Sequence, residues 1–236
     1  MEGMVVLIAG GTSCIGKASA TALAAMGAEV VVAGRYKVRG DKALAEIQRD
    51  SGSEKVSLML ADLAVQTEVR KLVEAFKEWR DRLDMLANNA GVIRSKRIET
   101  PDGIELTLAV NPPTQFLLTN LLLDLLKGSA PSRIITVSSE VRRNAKIDFD
   151  DLQPRRYRAF PVYGMTKLAN ILFTYELAER LRGTEVVANC VHPGGVNTNF
   201  GDNNRSLRLL LFRAFKPLMR TPQRGADTIV YLASSP

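Results

Sequence analysis

The sequence predicts a doubly wound α/β fold, in which one parallel sheet carries helices on both faces. Apolar, strand-like runs alternate with helix-like segments along the chain, and repeated right-handed βαβ units are the economical way to pack that order. A glycine-rich stretch, AGGTSCIG, lies at the first strand-to-helix junction. With 236 residues, 46% of them hydrophobic, the chain has enough apolar side chains for one core, so a single domain over residues 1–236 is expected.

Each predicted element rests on its own apolar pattern. The strand-like runs are Val5–Ile8, Val30–Ala33, Val56–Leu60, Leu83–Ala87, Arg133–Val137 and Glu185–Val191. The helix-like segments are Lys17–Met26, Gly40–Arg49, Glu68–Trp79, Thr114–Lys127 and Val162–Arg182. Ligands of such sheets bind beyond the carboxyl ends of the strands, which is where the glycine-rich stretch falls.

Composition argues against several functional classes. The net charge is +7, but the basic residues are spread among 25 acidic ones and form no known nucleic-acid module, so no nucleic-acid partner is expected. Two cysteines, Cys14 and Cys190, form neither a disulfide framework nor a zinc motif, which predicts a reducing, cytoplasmic setting and no metal site. We expect no signal peptide and no membrane span.

Two short motifs carry chemistry. In AGGTSCIG, glycines permit a tight turn and the following helix N-terminus favours an anion, although a merely structural turn is an equal alternative. In YGMTK, Tyr163 and Lys167 are four residues apart and share one helix face. An ammonium near a phenol lowers the phenol's pKa, so this pair predicts proton exchange near neutral pH. A plain surface pair is the alternative.

Five motifs in matching order resemble the short-chain dehydrogenase/reductase family. They are the glycine-rich turn, Asn88-Asn89-Ala90-Gly91, Ser139 in ITVSS, the Tyr163/Lys167 pair, and Pro193-Gly194 followed by Thr198. The stretches KLANILFTYELAERL, CVHPGGVNT and RTPQRGA resemble its branch of retinol dehydrogenases and related carbonyl reductases. The resemblance implies a Rossmann-type fold and an oxidoreductase in which a nicotinamide cofactor carries the hydride.

The resemblance also implies roles for individual residues. Ser139 would hydrogen-bond the substrate oxygen, Tyr163 would donate a proton to it, and Lys167 would tune Tyr163 and hold the nicotinamide ribose. Asn111 would link Lys167 to solvent through a water, with a helix cap before Pro112 as the alternative. Asn89 would order the backbone near the cofactor. The implied cofactor-binding residues are Gly10, Thr12, Ser13, Cys14, Ile15, Gly16, Arg35, Asp62, Leu63, Asn89, Ala90, Gly91, Tyr163, Lys167, Pro193, Gly194, Val196 and Thr198.

Two departures from the family pattern predict weaker function. The pattern Thr-Gly-x-x-x-Gly-x-Gly places Cys14 at a glycine position, where its side chain would crowd the ribose or diphosphate and weaken binding by about 1 kcal/mol. A reactive thiol at a helix N-terminus is a second interpretation. Pro112 would stiffen the bend that presents Asn111. A nucleotide-binding protein with weakened turnover is therefore the alternative to an active enzyme.

The end of the second strand predicts NADP(H) as cofactor. Gly34 stands where NAD-binding members place an acidic residue, and Arg35 follows it in position to bind a 2′-phosphate. Lys37 and Arg39 add positive charge nearby, whereas Asp62 is placed for the adenine. The alternative is that Arg35 faces only solvent.

The last quarter of the chain carries the remaining expectations. Residues 205–220 mix apolar and basic side chains, which predicts a lid over a lipophilic carbonyl or alcohol substrate, a peripheral membrane contact or a subunit interface.

A homodimer would pair through Thr114–Lys127 and Val162–Arg182. His192 has no triad partner and is interpreted as structural. Members of the family usually continue into a further strand beyond the position of Ala233–Pro236, so that strand is expected to be missing.

Overall fold

Six parallel strands form one sheet in the order β3-β2-β1-β4-β5-β6. The computed structural model describes residues 1–197 and 219–235. The strands are β1 Val5–Ala9, β2 Glu29–Gly34, β3 Val56–Leu60, β4 Met85–Asn88, β5 Ser132–Val137 and β6 Val186–Val191. From β1 the chain winds outward through β2 and β3, then returns to β4 beside β1 and winds the other way. This order confirms the doubly wound fold.

Helices cover both faces of the sheet. They are α1 Cys14–Ala25, α2 Lys37–Ser51, α3 Gln66–Trp79, α4 Leu106–Val110, α5 Pro112–Gly128, α6 Ala159–Arg180 and α7 Pro222–Ser234, with a 3-10 helix at Glu140–Asn144. Helices α1, α2 and α7 pack on one face, and α3, α5 and α6 on the other. Alternate residues of β1 serve the two cores: Leu7 faces α3 and α5, whereas Val6 and Ile8 face α1.

Two prolines follow Asn111 directly at the bend before α5, and the prediction that Pro112 stiffens this bend stays a prediction. Pro112 and Pro113 are the first residues of α5, where a missing amide hydrogen costs no helical hydrogen bond. The short helix α4 ends immediately before them, so Asn111 stands between two helices with φ −78° and ψ −72°. The two prolines thus begin a helix, and the change in direction belongs to Asn111.

Two predictions fall mainly outside the described residues. Thr198 and residues 205–218 lie outside the described ranges. Arg220, at the end of that segment, exchanges backbone hydrogen bonds with the chain after β6: its N–H donates to Gly195 O (2.9 Å), and Asn197 N–H donates to its carbonyl (2.8 Å). Within the described ranges, no helix is both long and apolar enough to cross a membrane.

Candidate active site

A cleft of about 630 Å³ opens at the carboxyl ends of the strands, on either side of the point where β1 meets β4. Most of the predicted site residues line it: Gly10, Thr12, Ser13, Cys14, Ile15, Arg35, Asp62, Leu63, Asn89, Ala90, Gly91, Ser139, Tyr163, Lys167, Pro193, Gly194 and Val196. Gly16 and Asn111 do not line it. This position agrees with the rule that doubly wound sheets bind ligands at the topological switch point.

The glycine-rich turn closes tightly against the loop after β4. Gly10 has φ +75°, and a Cβ there would lie 2.9 Å from Ala90 Cα, so only glycine fits without displacing backbone. Gly16 allows α1 to approach the turn, because a Cβ there would collide with the Gly10 carbonyl oxygen and lie 2.5 Å from Asn89 Nδ2. Gly16 therefore acts through packing, while Gly10 lies on the cleft wall.

Cys14 departs from the family pattern in its backbone. It is the only residue other than glycine with positive φ (+47°) in the described chain, a region that costs an L-residue about 1–3 kcal/mol. The sequence predicts crowding by the side chain, and Cys14 does line the cleft. The structure adds a second reason for glycine at this position, namely the left-handed backbone.

The start of α1 suits an anion such as a diphosphate. Ser13 is the N-cap residue, but its side chain makes no capping hydrogen bond, and the first turn holds no acidic residue. Backbone N–H groups at such a helix end attract negative charge. The residues present therefore fit a dinucleotide.

The end of β2 carries positive charge in contact with an aromatic ring. Arg35 Cζ lies 4.5 Å from the Tyr36 ring centroid and Arg39 Cζ lies 4.9 Å from it. Arg35 Nη1 is also 3.9 Å from Asp62 Oδ2, so Arg35 does not face only solvent. A Cβ at Gly34 would lie 2.7 Å from Thr12 Oγ1, which disfavours an acidic side chain at that position.

Ser139, Tyr163 and Lys167 meet on the cleft wall. The Ser139 side chain hydrogen-bonds Tyr163, and Tyr163 is 8% exposed. The neighbouring Ser138 is buried and donates its hydroxyl proton to Lys167 O (2.8 Å). Both serines of ITVSS line the cleft, but the Ser139 side chain hydrogen-bonds Tyr163 whereas the Ser138 hydroxyl holds the backbone of α6.

Burial dominates the ionisation of this pair. It lowers the pKa of Lys167 to about 8, while Lys167 Nζ donates to Val137 O (2.8 Å) and lies 5.7 Å from the Tyr163 ring centroid. Burial also raises the pKa of Tyr163 above its ordinary value. The hydrogen bond with Ser139 lowers this pKa, but by less than burial raises it. The predicted fall in the Tyr163 pKa is therefore wrong for the protein without cofactor, because desolvation of the phenolate outweighs the other effects.

The two asparagines support the site in different ways. Asn89 donates from Nδ2 to Gly10 O (3.0 Å), which confirms that it orders the backbone of the turn. Asn111 is fully buried, accepts from Val92 N–H (2.9 Å) and donates to Thr166 Oγ1 (2.9 Å). Asn111 does stand at the N-cap position of α5, but its side chain makes no capping hydrogen bond. Asn111 instead joins the loop after β4 to α6.

Sequence reasoning missed several residues of the cleft. Tyr36, Arg94, Val141 and Phe160 line it without belonging to any motif. His192, interpreted as structural, also lines it, with Nε2 3.8 Å from Glu140 Oε2. Tyr36 directly follows Arg35, and Arg94 lies three residues after the Asn88–Gly91 motif. These positions beside known motifs could have identified both residues from the sequence. Among residues 1–197 and 219–235, no group of three or more His, Cys, Asp or Glu gathers as a metal site.

Comparison with known proteins decides the family. A family model described as short chain dehydrogenase matches residues 4–208. The chain belongs to this family. Human retinol dehydrogenase 14 is 41% identical over 100% of this chain and 75% of its own length, and human retinol dehydrogenase 12 is 42% identical over 99% and 74%. This short-chain dehydrogenase is thus an oxidoreductase that acts on alcohol or carbonyl groups, in a family that uses a nicotinamide cofactor.

Solved structures agree in fold. An uncharacterized protein from Mycobacterium paratuberculosis is 30% identical, with a TM-score of 0.80 over 100% of this chain and 78% of that one. The Pseudomonas aeruginosa RhlG/NADP active-site complex is 26% identical, with a TM-score of 0.79 over 99% and 90%.

Proposed function

We propose that this short-chain dehydrogenase transfers hydride between NADP(H) and a lipophilic carbonyl or alcohol substrate. The observation that carries the proposal is the meeting of Ser139, Tyr163 and Lys167 on the wall of the cleft that also holds Arg35. A cofactor in this cleft would supply the hydride. Its diphosphate would be held at the start of α1 and its 2′-phosphate by Arg35.

The three polar side chains divide the proton chemistry. The Ser139 hydroxyl binds the substrate oxygen, and Tyr163 donates its proton to that oxygen as negative charge develops there. The raised pKa of Tyr163 keeps the phenol protonated near pH 7, which suits a proton donor. Lys167, with a pKa of about 8, is mostly protonated at that pH and provides positive charge beside the ring.

The choice of NADP(H) rests on charge at the end of β2. Arg35 and Arg39 line the cleft, and Gly34 leaves no carboxylate to repel a 2′-phosphate. The cofactor of the Pseudomonas aeruginosa complex, NADP, agrees with this choice.

A lipophilic substrate fits the apolar part of the cleft. The residues Val92, Ile93, Val141 and Phe160 line this cleft, as Tyr163 does. The relatives named retinol dehydrogenases 14 and 12 support a substrate of this character. The predicted lid or membrane contact at residues 205–220 and the cytoplasmic setting stay predictions.

A nucleotide-binding protein with weakened turnover is the second candidate. The observation that favours it is the strained backbone of Cys14 at the glycine-rich turn. The intact set of Ser139, Tyr163 and Lys167 favours the enzyme.

Replacing Tyr163 by phenylalanine tests the mechanism. The Tyr163→Phe variant should lose turnover by about a hundredfold or more, because it removes the transferable proton, while NADPH affinity stays within about twofold of wild type. Oxidation of NADPH should be followed across aldehydes, ketones and retinal, with fluorescence titration for binding. Equal turnover in Tyr163→Phe and wild type would overturn the mechanism, and no turnover by wild type with any substrate would favour the second candidate.

A further inference from the structure

Arg94 lies in the cleft without an assigned role. It follows the Asn88–Gly91 loop by three residues and lines the cleft together with Val141, Phe160 and Tyr163. It therefore lines the cleft in which the proposed mechanism places both cofactor and substrate.

Among residues 1–197 and 219–235, the guanidinium of Arg94 has no hydrogen-bond or ion-pair partner. Its Nε is buried and has no hydrogen-bond acceptor, and none of the described residues forms an ion pair with it. Nearby Arg97 also has a buried Nε without acceptor, but its Nη1 donates to Glu99 Oε1 (2.5 Å), and Arg97 does not line the cleft. Because Arg94 lines the cleft, an anionic ligand bound there would give its guanidinium the charge partner that the described residues do not supply.

The acidic residues of the cleft already have basic partners. Asp62 lies 3.9 Å from Arg35, and Glu140 contacts Arg143 and lies 3.8 Å from His192. The charge of Arg94 is consequently not neutralised by either carboxylate.

The backbone of Arg94 is fixed from outside the cleft. Tyr157 OH donates to Arg94 O (2.8 Å) and accepts from Thr107 Oγ1 (3.0 Å), which is itself buried. Burial raises the pKa of Tyr157, so its hydroxyl keeps this proton at ordinary pH. A guanidinium on an anchored backbone loses less freedom when it binds a ligand.

We propose that Arg94 binds a carboxylate of the substrate, so that the preferred substrates are oxo or hydroxy acids with an apolar body rather than neutral carbonyl compounds. The inference rests on the proposed function, since it needs the substrate to lie beside Tyr163. A planar guanidinium matches a carboxylate with two parallel hydrogen bonds, whereas an ester offers no charge to pair.

The test compares ω-oxododecanoate with its methyl ester, which carry the same aldehyde and differ in charge. Wild type should reduce the acid with a kcat/KM about tenfold or more above that of the ester. Arg94→Met should abolish this preference, Arg94→Lys should retain part of it, and Arg97→Met should leave it intact. NADPH affinity should be the same in Arg94→Met and wild type.

Three results would overturn the inference: no preference for the acid in wild type, an unchanged preference in Arg94→Met, or a tenfold loss of NADPH affinity in that variant, which would assign Arg94 to the cofactor. If wild type reduces neither compound, the proposed function fails separately. Calorimetric titration with dodecanoate in the presence of NADP+ then decides. Binding that weakens about tenfold in Arg94→Met supports the inference, and equal or absent binding contradicts it.

Discussion

At the scale of single residues, Arg35 should set the cofactor preference. A charge-assisted hydrogen bond contributes about 1.5–3 kcal/mol, so wild type should bind NADPH about tenfold or more tighter than NADH, and Arg35→Ala should remove most of that difference. Lys37→Ala is the matched control, because Lys37 pairs with Asp41 (2.9 Å) and does not line the cleft. Fluorescence titration of both cofactors gives the ratio. An unchanged ratio in Arg35→Ala contradicts the assignment.

Cys14 provides the second prediction at this scale. Cys14→Gly should tighten NADPH binding several-fold and raise the free energy of unfolding by about 1 kcal/mol, because glycine adopts positive φ without strain. Cys14→Ala separates the causes, since it removes the thiol but keeps the Cβ and the strain. Calorimetry and urea denaturation measure the two quantities. If Cys14→Ala gains as much stability as Cys14→Gly, the backbone explanation is wrong.

At the scale of elements, Asn111 holds α4, α5 and α6 to the loop after β4. Asn111→Leu should lower the free energy of unfolding by about 2–4 kcal/mol, since it leaves the Val92 amide and the Thr166 hydroxyl without this partner. Asn120→Leu is the control, because Asn120 is exposed on α5 and bonds only within that helix. Urea denaturation compares the variants. Equal losses in both would show that Asn111 does not join these elements.

At the scale of the whole molecule, α5 and α6 expose an aromatic face. Phe116 is 55% exposed and packs edge-on against Phe173, with ring centroids 5.6 Å apart, and Leu172 and Tyr175 are exposed beside them. This face supports the predicted homodimer. Phe116→Glu should convert dimer to monomer in light scattering, whereas Tyr231→Glu, on an exposed position of α7, should not. A wild-type monomer at every concentration contradicts the dimer.

The sequence by itself determined the doubly wound fold, the strands and most of the residues that line the cleft. Apolar periodicity located every described strand, and motif order placed Ser139 in the loop after β5 and both Tyr163 and Lys167 on α6. These features depend on local spacing and on chain order, both of which are written in the sequence.

Tertiary structure alone decided the properties that depend on burial or on contact between segments that are far apart in the sequence. The direction of the Tyr163 pKa shift follows from desolvation, which no spacing reveals. The positive φ of Cys14 depends on how α1 meets β1, and the partners of Asn111 come from a loop 19 residues and a helix 55 residues away along the chain. Arg94 became a candidate only when folding placed it in the cleft with no ion-pair partner among the described residues. A sequence specifies which groups are present, but their solvation and partners are properties of the packed molecule.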